Sequence, residues 1–122
     1  MYNLVVFASG NGTTLQAIID AIETKKLNAK INLVVSNNEN AYALKRAKDA
    51  GIETYLIQNK DYKQADVELV EKLSNYEVDL IVLAGYLKLI GENLIKNYTI
   101  INTHPSLLPK FGGKGMYRNE CT

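Results

Sequence analysis

The sequence predicts an α/β protein with a doubly wound, mostly parallel sheet. Three observations carry that prediction. Short apolar runs alternate along the chain with segments whose apolar residues recur at the helical period. The connections between them are short, as in consecutive β-α-β units. Several runs, above all Leu80-Ile81-Val82-Leu83-Ala84, are apolar throughout. Such runs fit strands covered on both faces rather than strands with one wet face.

The elements follow in order. Leu4-Val5-Val6-Phe7-Ala8 is the first strand. Ser9-Gly10-Asn11-Gly12 turns the chain into a helix from about Thr13 to Lys25, with Leu15, Ile18, Ile19 and Ile22 on one face. Lys25 and Lys26 are assigned to its last turn, where cations suit the helix dipole. Ile31-Asn32-Leu33-Val34-Val35 is the second strand and ends in Ser36-Asn37-Asn38. Asn40 is expected to start a second helix, about Ala41 to Ala50, with Ala41, Leu44 and Ala47 inward and Gly51 as its C-terminal cap. Thr54-Tyr55-Leu56-Ile57 is the third strand. Asp61 caps a third helix, about Tyr62 to Tyr76, expected to bury Val67, Val70 and Leu73. Leu80 to Ala84 is the fourth strand, ended by Gly85. A short helix from Glu92 to Asn97 precedes the fifth strand, Thr99 to Thr103. Beyond Pro109 the chain is glycine-rich and loses its periodicity, so the sheet is expected to be incomplete at its C-terminal end.

The bulk composition bounds the function. A chain of 122 residues with 47% hydrophobic residues predicts one domain with a real core. The formal charge is +1, from 14 basic and 13 acidic residues, which predicts neither a nucleic-acid partner nor a membrane surface. No apolar run is long enough to span a bilayer. Met1-Tyr2-Asn3 leads straight into a strand without a basic leader, and the single Cys121 has no internal disulfide partner. Both predict a cytoplasmic protein.

Three stretches carry chemistry. The loop Ser9 to Thr14 joins the first strand to the first helix. Its glycines allow close backbone approach, the helix N-terminus attracts a phosphate, and Thr13 and Thr14 add hydroxyl donors. The bland alternative is a tight turn with a threonine cap. A dinucleotide fingerprint would need a glycine where Leu15 stands and an acid where Ser36-Asn37-Asn38 stands. A P-loop would need a lysine where Gly12-Thr13-Thr14 has none. A small phosphorylated metabolite remains. The second stretch, Gly85-Tyr86-Leu87-Lys88-Leu89-Ile90, either lines a slot for a flat ligand or tucks onto the core. The third is Asn102 and His104, the latter the only histidine. Two residues apart on an extended chain, their side chains point the same way. An amide and an imidazole so placed can hold a carbonyl oxygen and move a proton. A lone histidine is also commonly an ordinary surface or core residue. If the strands are ordered 3-2-1-4-5, all three stretches share one rim of the sheet.

Together these motifs resemble the phosphoribosylglycinamide formyltransferases, Rossmann-like enzymes of purine synthesis. The anchors are Ala8-Ser9-Gly10-Asn11-Gly12, Leu15-Gln16-Ala17-Ile18, Val35-Ser36-Asn37, Leu83-Ala84-Gly85-Tyr86 and Asn102-Thr103-His104-Pro105-Ser106-Leu107-Leu108-Pro109. The resemblance implies formyl transfer from 10-formyltetrahydrofolate, a co-substrate, to the amine of glycinamide ribonucleotide, without a metal. It implies that Gly12, Thr13, Thr14, Leu15 and Gln16 bind the ribonucleotide. It implies that Leu87, Lys88, Leu89 and Ile90, with Asn102, bind folate. Asn102 matches the residue that holds the formyl oxygen, and His104 the general acid. Family members often carry Ser-Asn where Thr13-Thr14 stand. Some use an arginine near the position of Lys63 to contact folate.

The resemblance covers residues 1–117, and residues 118–122 form a divergent tail. Family members continue further, with an aspartate that pairs with the histidine; Asp66 and Asp79 stand at the wrong positions to replace it. The chain is therefore expected to be a C-terminally truncated member, and turnover by the isolated chain is expected to be undetectable. Two alternatives accompany this reading. One is an inactive fragment that retains phosphate binding. The other is a non-enzymatic module that self-associates through the uncovered fifth strand.

Overall fold

In a computed structural model, residues 1–86 and 90–102 are described. Nine elements alternate: β1 (Tyr2–Phe7), α1 (Thr13–Glu23), β2 (Ala29–Ser36), α2 (Tyr42–Asp49), β3 (Thr54–Leu56), α3 (Tyr62–Leu73), β4 (Leu80–Leu83), α4 (Glu92–Asn97) and β5 (Ile100–Asn102). The five strands form one parallel sheet in the order β3-β2-β1-β4-β5. This is the order on which the shared rim depends. Thr103, expected to end the fifth strand, lies outside the described residues.

The apolar runs are covered on both faces, as their composition requires. Leu4, Val6, Val34, Val82 and Ile101 face Leu15, Ile18 and Ile19 of α1 and Ala43 and Ala47 of α2. Val5, Phe7, Leu33, Val35, Ile81 and Leu83 face Ala65, Leu69 and Leu73 of α3 and Leu94 of α4. Leu4, Val5, Val6 and Phe7 of the central strand are fully buried. Full burial of such side chains contributes about 2 kcal/mol each in transfer free energy. The alternation of faces slips once in β2. Leu4 pairs with Ile31 but Val5 with Leu33, so Asn32 is an extra residue in the ladder. Its amide donates to the Asn3 side chain at 3.2 Å and the Glu77 carbonyl at 2.8 Å. That bulge lets Ile31 and Val34 face the same side despite their odd separation.

Helix ends differ from expectation in three places. Lys25 and Lys26 are not in the last turn of α1, which ends at Glu23. Lys25 instead takes φ of 63°. Its N–H donates to Ile22 at 3.1 Å, and that of Lys26 to Ala21 at 2.9 Å. These are the two bonds of a Schellman motif, closed by a lysine where glycine is usual. Gly51 performs the same closure after α2, as expected, through Gly51 N–H to Lys48 and Ile52 N–H to Ala47. At the start of α2 the N-cap is Ala41, not Asn40, and no side chain caps it. Asn38 organises that entry by accepting the Asn40 N–H at 3.0 Å. In α3, Asp61 caps as expected, accepting the Lys63 N–H at 3.3 Å. The helix ends at Leu73, short of Tyr76. Val67 is not buried but 59% exposed, and the inward face is Ala65, Asp66, Leu69 and Leu73. Both Val67 and Val70 are apolar at helical spacing from the core residues. Periodicity alone therefore does not separate the edge of the stripe from its centre.

Candidate active site at the carboxyl edge of the sheet

β1 and β4 are adjacent, and the chain runs outward from them in opposite directions, to β2 and β3 on one side and β5 on the other. Ligands of open α/β sheets bind at the carboxyl ends of strands at such a switch point. Phe7 pairs with Leu83, and Leu83 with Asn102, so the last residues of β1, β4 and β5 stand in one row. Just beyond that row, Ser9 N–H donates to the Gly85 carbonyl at 3.3 Å, tying the loops after β1 and β4 together. Asn102 is exposed at the end of its strand. His104, Leu87, Lys88 and Leu89 lie outside the described residues.

The β1–α1 loop is held from behind by β2 and α2. The Ser9 carbonyl accepts Asn38 Nδ2 at 3.2 Å, and the Ser9 hydroxyl donates to Asn37 Oδ1 at 2.6 Å. The Gly10 carbonyl accepts the Ala43 N–H at 3.1 Å. The Asn11 carbonyl accepts Arg46 Nε at 2.7 Å. Three successive carbonyls thus point to the β2–α2 segment, the first to Asn38 and the next two to α2. The peptide bonds are all trans, and in a trans peptide the N–H opposes the C=O. The N–H groups of Gly10, Asn11 and Gly12 therefore point away from α2, and none donates to a protein acceptor among the described residues.

Gly12 then opens α1. It has φ of 77°, and no side chain caps the helix. A Cβ at Gly12 would lie 2.7 Å from Ala43 Cα, so glycine is required by both its torsion and the closeness of α2. The first N–H groups of a helix have no partner within it. Thr13 is exposed beside them, whereas Thr14 and Leu15 are buried. Gln16 turns sideways. Its Oε1 accepts from Arg46 at 3.2 Å and its Nε2 donates to Asp20 at 3.0 Å. The outcome is a run of backbone donors at a positive helix end, an arrangement suited to an anion.

On the other face, Ile90 is half-buried against the α3–α4 core. It lines a cavity of about 550 Å³ together with Lys63, Val67 and Asn93. The exposed Val67 is a wall of that cavity. Asp66, only 3% exposed, accepts the Asn93 N–H at 2.9 Å and the Leu94 N–H at 3.0 Å. It caps α4 from another helix, in place of the side chain that the N-cap Gly91 lacks. A Cβ on Gly91 would fall 2.3 Å from Asp66 Cγ. Tyr86, just after β4, is partly buried against the same core, its ring edge-on to Phe7 at 5.1 Å. Burial pushes its phenol up to about 12, so it is a neutral donor at physiological pH. Asp79 lies at the opposite, amino edge of the sheet, where its carboxylate accepts the Asn3 N–H at 2.8 Å. Among the described residues no group of three or more His, Cys, Asp or Glu side chains is placed to hold a metal ion. No helix among them is long and apolar enough to cross a membrane.

Asn37, Asn38, Arg46 and Asp66 support the site without contributing to the sequence motifs for substrate or folate binding. The first two are visible in the sequence as polar residues at a strand end beside β1, and Asn37 also belongs to the anchor Val35-Ser36-Asn37, but nothing local marks either as a support of the first loop. Arg46 and Asp66 gave no local signal, because their partners lie 27 to 35 residues away in sequence.

The fold and its loops define a doubly wound α/β protein with an anion-ready first loop. The chain belongs to the formyl transferase family, whose model matches residues 2–120. Among curated proteins it is 42% identical over 121 residues to the phosphoribosylglycinamide formyltransferase of Escherichia coli strain K12, covering 95% of this chain and 57% of that protein. It is 42% identical over 130 residues to the same-named protein of Dictyostelium discoideum, covering 92% and 63%. Among solved structures, glycinamide ribonucleotide transformylase 1 of Symbiobacterium toebii superposes with a TM-score of 0.80 at 37% identity, over 93% of this chain and 56% of that one. The chain thus spans a little over half the length of these relatives.

Proposed function

We propose that the chain supports formyl transfer from 10-formyltetrahydrofolate to the amine of glycinamide ribonucleotide, in the cytoplasm. The observation that carries this is the posture of the β1–α1 loop. Its carbonyls are bound to Asn38 and to α2, and its N–H groups, with the uncapped end of α1, are turned outward. Gly12, Thr13, Thr14, Leu15 and Gln16 then bind the ribonucleotide, with the phosphate on backbone donors. Ile90 and Lys63 share one cavity, which supports a folate site there, completed by Leu87, Lys88 and Leu89. Asn102 ends β5 in the same row as Phe7 and Leu83, which supports its place beside the reacting carbonyl.

In the reaction, the amine nitrogen attacks the formyl carbon and forms a C–N bond. The carbonyl electrons move to oxygen. The Asn102 amide N–H and protonated His104 stabilise that oxyanion. The carbon–nitrogen bond to folate then breaks as a proton reaches the departing nitrogen, while the attacking amine gives one up. Curated relatives named as formyltransferases support this reading over a non-enzymatic module that pairs through β5.

Two measurements test it. Titration with glycinamide ribonucleotide should shift the backbone amide resonances of Gly10 to Gln16. In a chimera in which this chain replaces the matching part of the Escherichia coli relative, His104→Ala should lower formyl transfer by about 100-fold or more, and Asn102→Ala by a comparable factor. Unshifted loop amides, or a chimera whose transfer survives both substitutions at full rate, would overturn the assignment.

A further inference from the structure

We infer that Arg46 is a positioning residue for the substrate loop, acting from α2 without belonging to the loop itself. The inference rests on the reading of Gly12 to Gln16 as the ribonucleotide site. Arg46 makes two directed contacts with that loop. Its Nε donates to the Asn11 carbonyl at 2.7 Å, and a terminal nitrogen donates to Gln16 Oε1 at 3.2 Å. The first bond fixes the peptide plane between Asn11 and Gly12, and so aims the Gly12 N–H outward. The second fixes the first-turn side chain that the loop presents next.

The guanidinium is itself held in place. It lies 4.8 Å over the Tyr42 ring, and its stem packs beside Gly12, where an added Cβ would meet Arg46 Cδ at 3.2 Å. Both acceptors are neutral, and among the described residues no carboxylate pairs with Arg46. No ion pair among the described residues competes with these two bonds. Lysine cannot reproduce this arrangement, because an ammonium has no planar fork to reach two acceptors in fixed directions.

The test compares the wild-type chain with Arg46→Lys and Arg46→Met in titrations with glycinamide ribonucleotide and with the phosphate-free glycinamide riboside. Dispersed amide spectra and thermal midpoints establish that each variant is folded. Arg46→Met should weaken nucleotide binding by about tenfold or more, and Arg46→Lys by a smaller but clear factor of about three. Riboside affinity should change by less than twofold in both. A merely structural role would not move the ratio between the two ligands. Equal nucleotide affinity in all three proteins would overturn the inference while leaving the loop assignment intact. Lysine performing as well as arginine would also overturn it, since charge alone would then suffice. A wild-type chain whose loop amides ignore the nucleotide would remove the reading beneath it.

Discussion

At the scale of single residues, the first loop shows why a sequence can announce a site and hide its construction. Ser9-Gly10-Asn11-Gly12 signals a turn before a helix, and glycine at position 12 is accounted for by its torsion and by Ala43. What orients the loop is supplied by Asn38, Ala43 and Arg46, about 30 residues on. No local pattern marks such partners, because a hydrogen bond across strands leaves no period. Lys25 is the converse case. Two lysines near a helix end fit the dipole rule, but the chain uses one to make a left-handed turn. A non-glycine residue there costs roughly 1 kcal/mol. Lys25→Gly should therefore raise stability by up to about 1 kcal/mol, less the entropy that glycine adds to the unfolded chain. Chemical denaturation measures this, and a variant less stable than wild type would contradict it.

At the scale of elements, the strands were legible by their apolar runs, although β1 and β2 each begin two residues earlier than those runs, and the helices by their cores but not their rims. Leu69 and Leu73 face the sheet while Val67 faces a cavity. The least expected element is the start of α4. Gly91 provides no cap, and the buried Asp66 of α3 supplies two acceptors instead. Nothing in Gly91-Glu92-Asn93 points to a partner so far back in the chain. Asp66→Ala should cost about 2 kcal/mol, in the range of a lost cap and of a charged hydrogen bond. It should also accelerate hydrogen exchange at the Asn93 and Leu94 amides relative to those of β1. Unchanged exchange at those two amides would show that α4 is fixed by packing alone. Because Ile90 adjoins Gly91, the same carboxylate also sets where the proposed folate segment meets the body of the protein.

At the scale of the whole molecule, fold class followed from alternation and from the apolar runs, since a parallel sheet must be covered on both faces, whereas the strand order β3-β2-β1-β4-β5 entered the sequence reading only as a condition and is supplied by the structure. One titration should be felt throughout this core. Burial holds Tyr86 protonated up to about 12, against an ordinary value near 10. The unfolded chain releases that proton first. The stability it confers is complete below about pH 10 and is lost as pH rises through about 12. Wild type and Tyr86→Phe should therefore converge or cross in denaturant midpoint across that window, with wild type losing more. Parallel curves would show that the phenol ionises as freely in the folded protein as in the unfolded one. Tyr86 has its ring against Phe7 of the central strand, so its ionisation acts on the core rather than on a loop.

The backward-facing carbonyls of residues 9 to 11 have a consequence for protein engineering. A graft of Ser9 to Gln16 onto another α/β frame would carry the letters of the loop without its posture. The unit that can be transplanted is discontinuous: the loop, the asparagines that follow β2, and the face of α2 bearing Ala43 and Arg46. Recombination that cuts between α1 and β2 would separate the two halves of that unit. Crossover points that keep residues 9–46 on one parent would preserve it.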